Sequence, residues 1–160
     1  MSFIATANPP VTGTELPVEN DPWFPQVDPD ALRQSCRLDG TVTPDRLKHA
    51  LLHALDSVNL ELDAYRLARL AEGYASLAEV PCRLLDGGSV QVTRYHRAVY
   101  ACVQAELSEA YRDIDTTPHS EGKSDRIKAR IEAKADEHRR AMRWAISDLL
   151  GIRRTTVELI

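Results

Sequence analysis

TPDRLKHALLHALDSVNLELDAYRLARLAEG, Thr43 to Gly73, constrains this chain more than any other stretch. Thr43 offers a side-chain oxygen to the orphan N–H groups of a helix start, and Pro44 suits the first helical position. Neither Gly nor Pro recurs until Gly73, which falls where a left-handed residue ends a helix. Leu47, Leu51, Ala54, Val58, Leu62 and Tyr65 recur at three- and four-residue steps and draw one apolar stripe. A second set, Leu52, Leu60, Leu67 and Leu70, projects broadly to the other side. A helix with apolar groups on two sides is ordinarily covered on both. In a chain of 160 residues, one of those covers is expected to be another subunit.

The rest of the chain is punctuated as clearly. Six of the nine prolines fall in the first 29 residues, so residues 1–27 are expected to be an extended, Pro-rich, acidic arm. Asp28 as N-cap and Pro29 at the first position open a short helix that Gly40 is expected to close. After a connector broken by Pro81 and Gly87–Gly88, a third helix is expected from Ser89 to about Asp113. Its face holds Val92, His96, Val99, Val103, Leu107 and Ala110. A fourth runs from about Lys123 to Leu150, with Ile127, Ile131, Ala135, His138, Met142, Ala145 and Leu149 in register, and Gly151 ends it. The expected fold is therefore all-α: an antiparallel bundle of three long helices and a short N-terminal one. It divides into the arm (1–27), a helical domain (28–151) and a tail (152–160).

That tail departs from the helical pattern. In RRTTVELI, Thr155, Val157 and Leu159 alternate with Thr156, Glu158 and Ile160, as in a strand. Its own chain offers no obvious sheet to receive it.

Composition excludes several function classes. No apolar run has the length of a membrane span, and the N-terminal residues lack the basic and apolar regions of a signal peptide. Cys36, Cys82 and Cys102 have no metal-ligand spacing and are read as reduced packing residues. The net charge is −4, and residues 1–30 alone contribute −5, leaving +1 for the remaining 130 residues. So neutral a body is a poor match for wrapping duplex DNA.

Chemical candidates are few. His49 and His53, with Asp56 near, have a chelating spacing, but Ala50 stands where a zincin helix needs Glu. His96 and His138 fall in apolar stripes and read as residues at the edge of the core. Gly87–Gly88 lacks the partners of a phosphate-binding loop. No acids pair as a general acid and base would. The sequence thus points to no enzyme, no cofactor and no metal. In the fourth helix, residues 121–150 mix eight bases with six acids, which reads as a salt-bridged surface. Trp23 and Phe24, between prolines in PWFPQVDP, either staple back over the bundle or make arm contacts elsewhere.

From WFPQVDP through TVTPDRL, NLELDAYR, LAEVP, DGGSVQVTRYHRAV, LSEAYRDID, KSDRI and MRWAISDLLG to TVELI, the chain resembles the phage head completion/stabilisation proteins of contractile-tailed temperate phages. The resemblance covers roughly Trp23 to Ile160 in collinear order. It implies a structural virion protein at the head–tail junction, assembled in the bacterial host cytoplasm. Such adaptors form a ring of twelve on the portal protein after DNA packaging, stabilise the filled head and present a docking surface to tail completion or terminator proteins. Packaged DNA would pass through the ring without sequence-specific contact. On this reading Arg153, Arg154, Thr155, Thr156, Val157, Glu158, Leu159 and Ile160 are a portal-docking tail, and Leu52, Leu60, Leu67 and Leu70 a subunit interface. The alternative is a small helical DNA-binding or regulatory protein using the basic residues of the fourth helix.

Overall fold

A computed structural model describes residues 13, 15–114 and 121–153, with residues 111–114 and 121–128 described as backbone only. The tail from Arg154 onward and the loop of residues 115–120 therefore lie outside the described residues. Four helices follow in order: α1 (Pro29–Cys36), α2 (Pro44–Ala71), α3 (Val90–Ile114) and α4 (Glu121–Leu150).

The helix ends show why the elements fall where they do. At the start of α2, Thr43 is extended and its side chain accepts the N–H of Arg46, with Pro44 first in the helix. At its end the N–H of Gly73 bonds the Leu70 carbonyl (2.9 Å) and that of Tyr74 the Arg69 carbonyl (3.1 Å), with Gly73 at φ 97°. This paired closure satisfies carbonyls that would otherwise lack donors. Gly151, at φ 72°, closes α4 in the same way, as the Ile152 N–H reaches the Ser147 carbonyl at 2.9 Å.

Helix α1 ends earlier than expected. Asp28 does cap it, accepting the Asp30 N–H. Gly40, however, lies beyond the end; Arg37, at φ 54°, takes the left-handed place instead. The Leu38 N–H bonds the Arg33 carbonyl at 3.0 Å, and Leu38 packs against the core. An apolar anchor just past a helix end fixes where the turn closes, here against the conformational preference of the residue making it.

Between α2 and α3 runs a connector with a 3-10 turn (Leu77–Glu79) and a two-residue ladder, β1 (Leu84–Leu85) against β2 (Gly88–Ser89). Asp86 and Gly87 both have positive φ, the turn that matches a right-handed hairpin twist. The fold is thus a helical bundle carrying one short hairpin.

Helix α3 is central. It packs most extensively on α4 and next on α2, while α2 and α4 touch sparsely. Bonds from Gln91 to the Leu149 carbonyl and from Arg139 to Glu109 run α4 antiparallel to α3. Pairs Tyr65–Gln91 and His53–Glu106 do the same for α2. Buried Ala98, Ala101 and Ala105 on α3, with Ala135 and Ala145 on α4, keep side chains small where these backbones approach. The core joins Leu47, Leu51, Val58 and Leu62 of α2 to Tyr95, Val99 and Val103 of α3 and Ile146 and Leu149 of α4.

Residues 15–27 carry no helix or strand, yet they belong to this core rather than to a separate arm. Val18, Trp23, Phe24 and Val27 are all buried in it. The edge of the Trp23 ring meets Phe24 and Tyr65, and Phe24 stacks on Tyr95 at 5.1 Å. Each indole or phenyl group of this size removes well over a hundred Å² from water, roughly 1.5–3 kcal/mol apiece. Burial of Val18 and Val27 adds to this, and together these side chains offset part of the cost of ordering an irregular segment. The places of a staple across the start of α1 are held by Val27 and Leu32; Trp23 and Phe24 reach deeper. The boundary expected at residue 27 does not separate two packing units.

Candidate assembly surfaces

The polar groups of the N-terminal segment are matched as closely as its apolar ones. The Asn20 amide donates to the Pro25 carbonyl (2.8 Å) and to the Tyr95 phenol oxygen (3.0 Å). Asn59 donates to Asn20 Oδ1 at 2.9 Å, and the Tyr95 hydroxyl donates to Asn59 Oδ1 at 2.6 Å. Trp23 Nε1 donates to the Tyr74 carbonyl, and the Leu77 N–H to the Trp23 carbonyl. Arg33 meets Glu15 at 2.5 Å with both side chains buried, and also donates to the Asp39 carbonyl. Burial of the phenol raises the Tyr95 pKa well above its ordinary value, and the bond from Asn20 only partly opposes this. Trp23 and Phe24 thus face inward, onto their own bundle. Folding of Trp23 and Phe24 back over the bundle was one of the two expectations for them; the ordered place of the rest of residues 15–27 was hidden by proline density.

The two sides of α2 differ sharply. One is sealed in the core. The other leaves Leu52, Leu60, Leu67 and Leu70 in water, Leu60 at 75 % of its full exposure. Asp56 and Asp63 share this outer side, the latter bonded to Arg66 at 2.8 Å. The hairpin adds Leu84 and Leu85, and the end of α4 adds Ile152, all exposed. Those three escaped the sequence reading, although Asp86–Gly87 between leucine and glycine is a hairpin signal. Of the eight residues Arg153 to Ile160, the exposed Arg153 alone is among those described.

No catalytic constellation accompanies these surfaces among the described residues. His49 and His53 stack at 5.1 Å, and His53 Nδ1 lies 3.8 Å from Glu106 of α3. Burial raises the Glu106 pKa, the two histidines pulling it back down and Glu109 adding to the rise. Among the described residues no group of three His, Cys, Asp or Glu side chains has a metal-binding arrangement. Burial pushes the thiols of Cys36 and Cys102 up to about 11, which leaves both protonated and poorly nucleophilic at neutral pH. The Cys82 pKa is lowered, first by its hydrogen bond with Ser89. Charged groups of α4 are partly engaged: Arg139 meets Glu109 and Asp136, and Asp148 is approached by Arg97 of α3. No helix among the described residues is long and apolar enough to cross a membrane.

The family model described as phage head completion protein (GPL) matches residues 18–160, and so begins at Val18, where the described core begins. The head completion/stabilization protein of Escherichia phage P2 is 38% identical over 152 residues, covering 95% of this chain and 88% of that protein. No solved structure matches the chain.

Proposed function

The chain belongs to the phage head completion protein family, and from that membership we propose that it acts as a head-to-tail connector. It binds the portal once DNA is packaged, keeps the filled head closed and offers the tail a docking surface. Its copies form a ring, in which the outer leucines of α2 meet a neighbouring subunit.

The observation that carries this reading is the exposed row Leu52, Leu60, Leu67 and Leu70 on a helix whose opposite side is fully buried. Single exposed leucines are ordinary; a row along one side of a helix in a well-packed chain marks a contact surface. A structural role also suits a molecule in which the half-buried Asn20 and Asn59 and the buried Tyr95 bond one another.

Arg153 to Ile160 would then dock on the portal as an added strand. Support for this lies in the alternation of the tail sequence. Ordering the six residues from Thr155 to Ile160 costs about 1–2 kcal/mol each, and burying Val157, Leu159 and Ile160 contributes about 1.5–3 kcal/mol each. One tail is near break-even, whereas many on a ring bind as a unit.

The test is reconstitution. Filled heads lacking this protein are mixed with the full chain or with a chain ending at Ile152, and bound protein and retained DNA are measured. The full chain is expected to bind and retain DNA, and the shortened one to stay folded and bind far less. Equal binding by both would remove the docking role of the tail, and no binding by either would remove the connector reading.

A further inference from the structure

The ring reading leaves open which surface of the next copy covers the α2 leucines. We propose that it is the side of α4 that carries Arg140 and Trp144, so that neighbouring copies join head to tail; this rests on the ring reading above.

Two observations point to that partner surface. Helical spacing puts Asp56, Leu60, Asp63 and Leu67 on one side of α2, away from the buried Leu51, Ala54, Val58 and Leu62. From His49 to Tyr65 this helix holds no Lys or Arg, and Asp63 is met by Arg66 at 2.8 Å, so Asp56 is the carboxylate beside Leu60 that has no Lys or Arg neighbour on the helix. On α4, Arg140 and Trp144 stand four residues apart, away from the buried Ala145, Ile146 and Leu149. Trp144 is 38 % exposed, with the Arg140 guanidinium 5.3 Å from its ring centre. From His138 to Ser147 this helix holds Arg139, Arg140 and Arg143 and no acid. Arg139 is committed to Glu109 and Asp136, whereas Arg140 and Arg143 are exposed. An apolar, acidic face and an aromatic, basic face are thus presented by the same chain on different helices.

Charge then decides between the two ways a second copy can sit on the leucines. A symmetric contact, leucine face on leucine face, would bring two copies of Asp56 together around a desolvated patch, and like charges across an interface are unfavourable. Pairing with α4 instead sets Asp56 opposite Arg140 and Arg143 and covers Leu60 with the Trp144 ring. Aromatic and arginine side chains are the usual anchors of such contacts. The geometry also matters for assembly. A symmetric contact stops at a dimer, while a contact between two different surfaces continues until a ring closes.

The experiment uses three full chains in sedimentation over rising concentration: the unaltered protein, Leu60→Asp and Trp144→Ser, each first shown to keep its helical spectrum. The unaltered chain is expected to pass beyond dimers. Each variant alone should self-associate about tenfold or more weakly, the loss expected when one anchor is removed. Mixed, they should form a one-to-one heterodimer and stop, because each supplies the one face the other lacks. If Trp144→Ser self-associates like the unaltered chain while Leu60→Asp does not, the leucine face pairs with something other than α4 and the proposal fails. An unaltered chain that remains monomeric throughout also overturns it. Binding to heads is read in the separate reconstitution, so the two readings fail independently.

Discussion

The Tyr95 hydroxyl donates to Asn59 Oδ1 at 2.6 Å, joining the second turn of α3 to the middle of α2, and Asn20 of the N-terminal segment bonds both residues. One phenol therefore holds three parts of the chain in register. Tyr95→Phe keeps the ring stack on Phe24 but leaves two half-buried amides short of a partner. The expected cost is about 1–3 kcal/mol, read as a lower denaturant midpoint at unchanged slope. Trp23→Ala should cost more, about 3–5 kcal/mol, through the cavity it opens. A chain beginning after residue 27 loses Val18, Trp23, Phe24 and Val27 from the core and should not show a cooperative transition.

The Glu15–Arg33 pair is buried on both sides, and Arg33 Nη2 has no hydrogen-bond partner among the described residues. Removing one charge strands the other. Glu15→Ala is expected to cost about 3–5 kcal/mol, whereas the joint change Glu15→Leu with Arg33→Met should be near neutral or stabilising. Thermal unfolding of the single and double variants checks this; equal losses from both would show that the pair itself holds the segment.

Much of this was legible in the sequence, and the failures share one cause. The stripes Leu47–Leu51–Val58–Leu62 and Val99–Val103–Leu107 are core because helical periodicity is a local property that tertiary packing rarely overturns. The sides of α2 were legible for the same reason. Residues 15–27 were not, since their order comes from contacts with Tyr65, Tyr74 and Tyr95, far along the chain, while their local composition argues for an open coil. The end of α1 misled similarly: a glycine is the local signal, but Leu38 anchoring on the core placed the turn at Arg37. The α4 face around Trp144 shows no local motif and becomes meaningful only beside the acidic leucine face of α2.

Arg37 supports a prediction of the opposite sign. A side chain in the left-handed region costs roughly 1–2 kcal/mol, partly offset in a glycine variant by its freer unfolded chain, about 0.4–1 kcal/mol. Arg37→Gly is therefore expected to stabilise the protein by up to about 1 kcal/mol, seen as a modest rise in melting temperature.

His138 gives a pH dependence. Its pKa is lowered in the folded chain, by burial first and then by Lys134, with Glu137 opposing. The folded chain binds this proton less readily than the unfolded one, so stability is whole above the ordinary histidine value of 6.5 and is lost as pH falls toward the lowered one. His138→Asn should lose less melting temperature than the unaltered chain between about pH 7.5 and pH 5.5. An identical loss in both would assign the slope to other groups.

The central claim is that the outer side of α2 serves assembly and not folding. Leu60→Asp tests it most directly, with melting temperature and binding to DNA-filled heads measured on the same preparation. The account predicts a melting temperature within a degree or two of the unaltered chain, as for most surface substitutions, together with loss of head binding. A variant that binds heads as the unaltered protein does, or one that no longer folds, would contradict it.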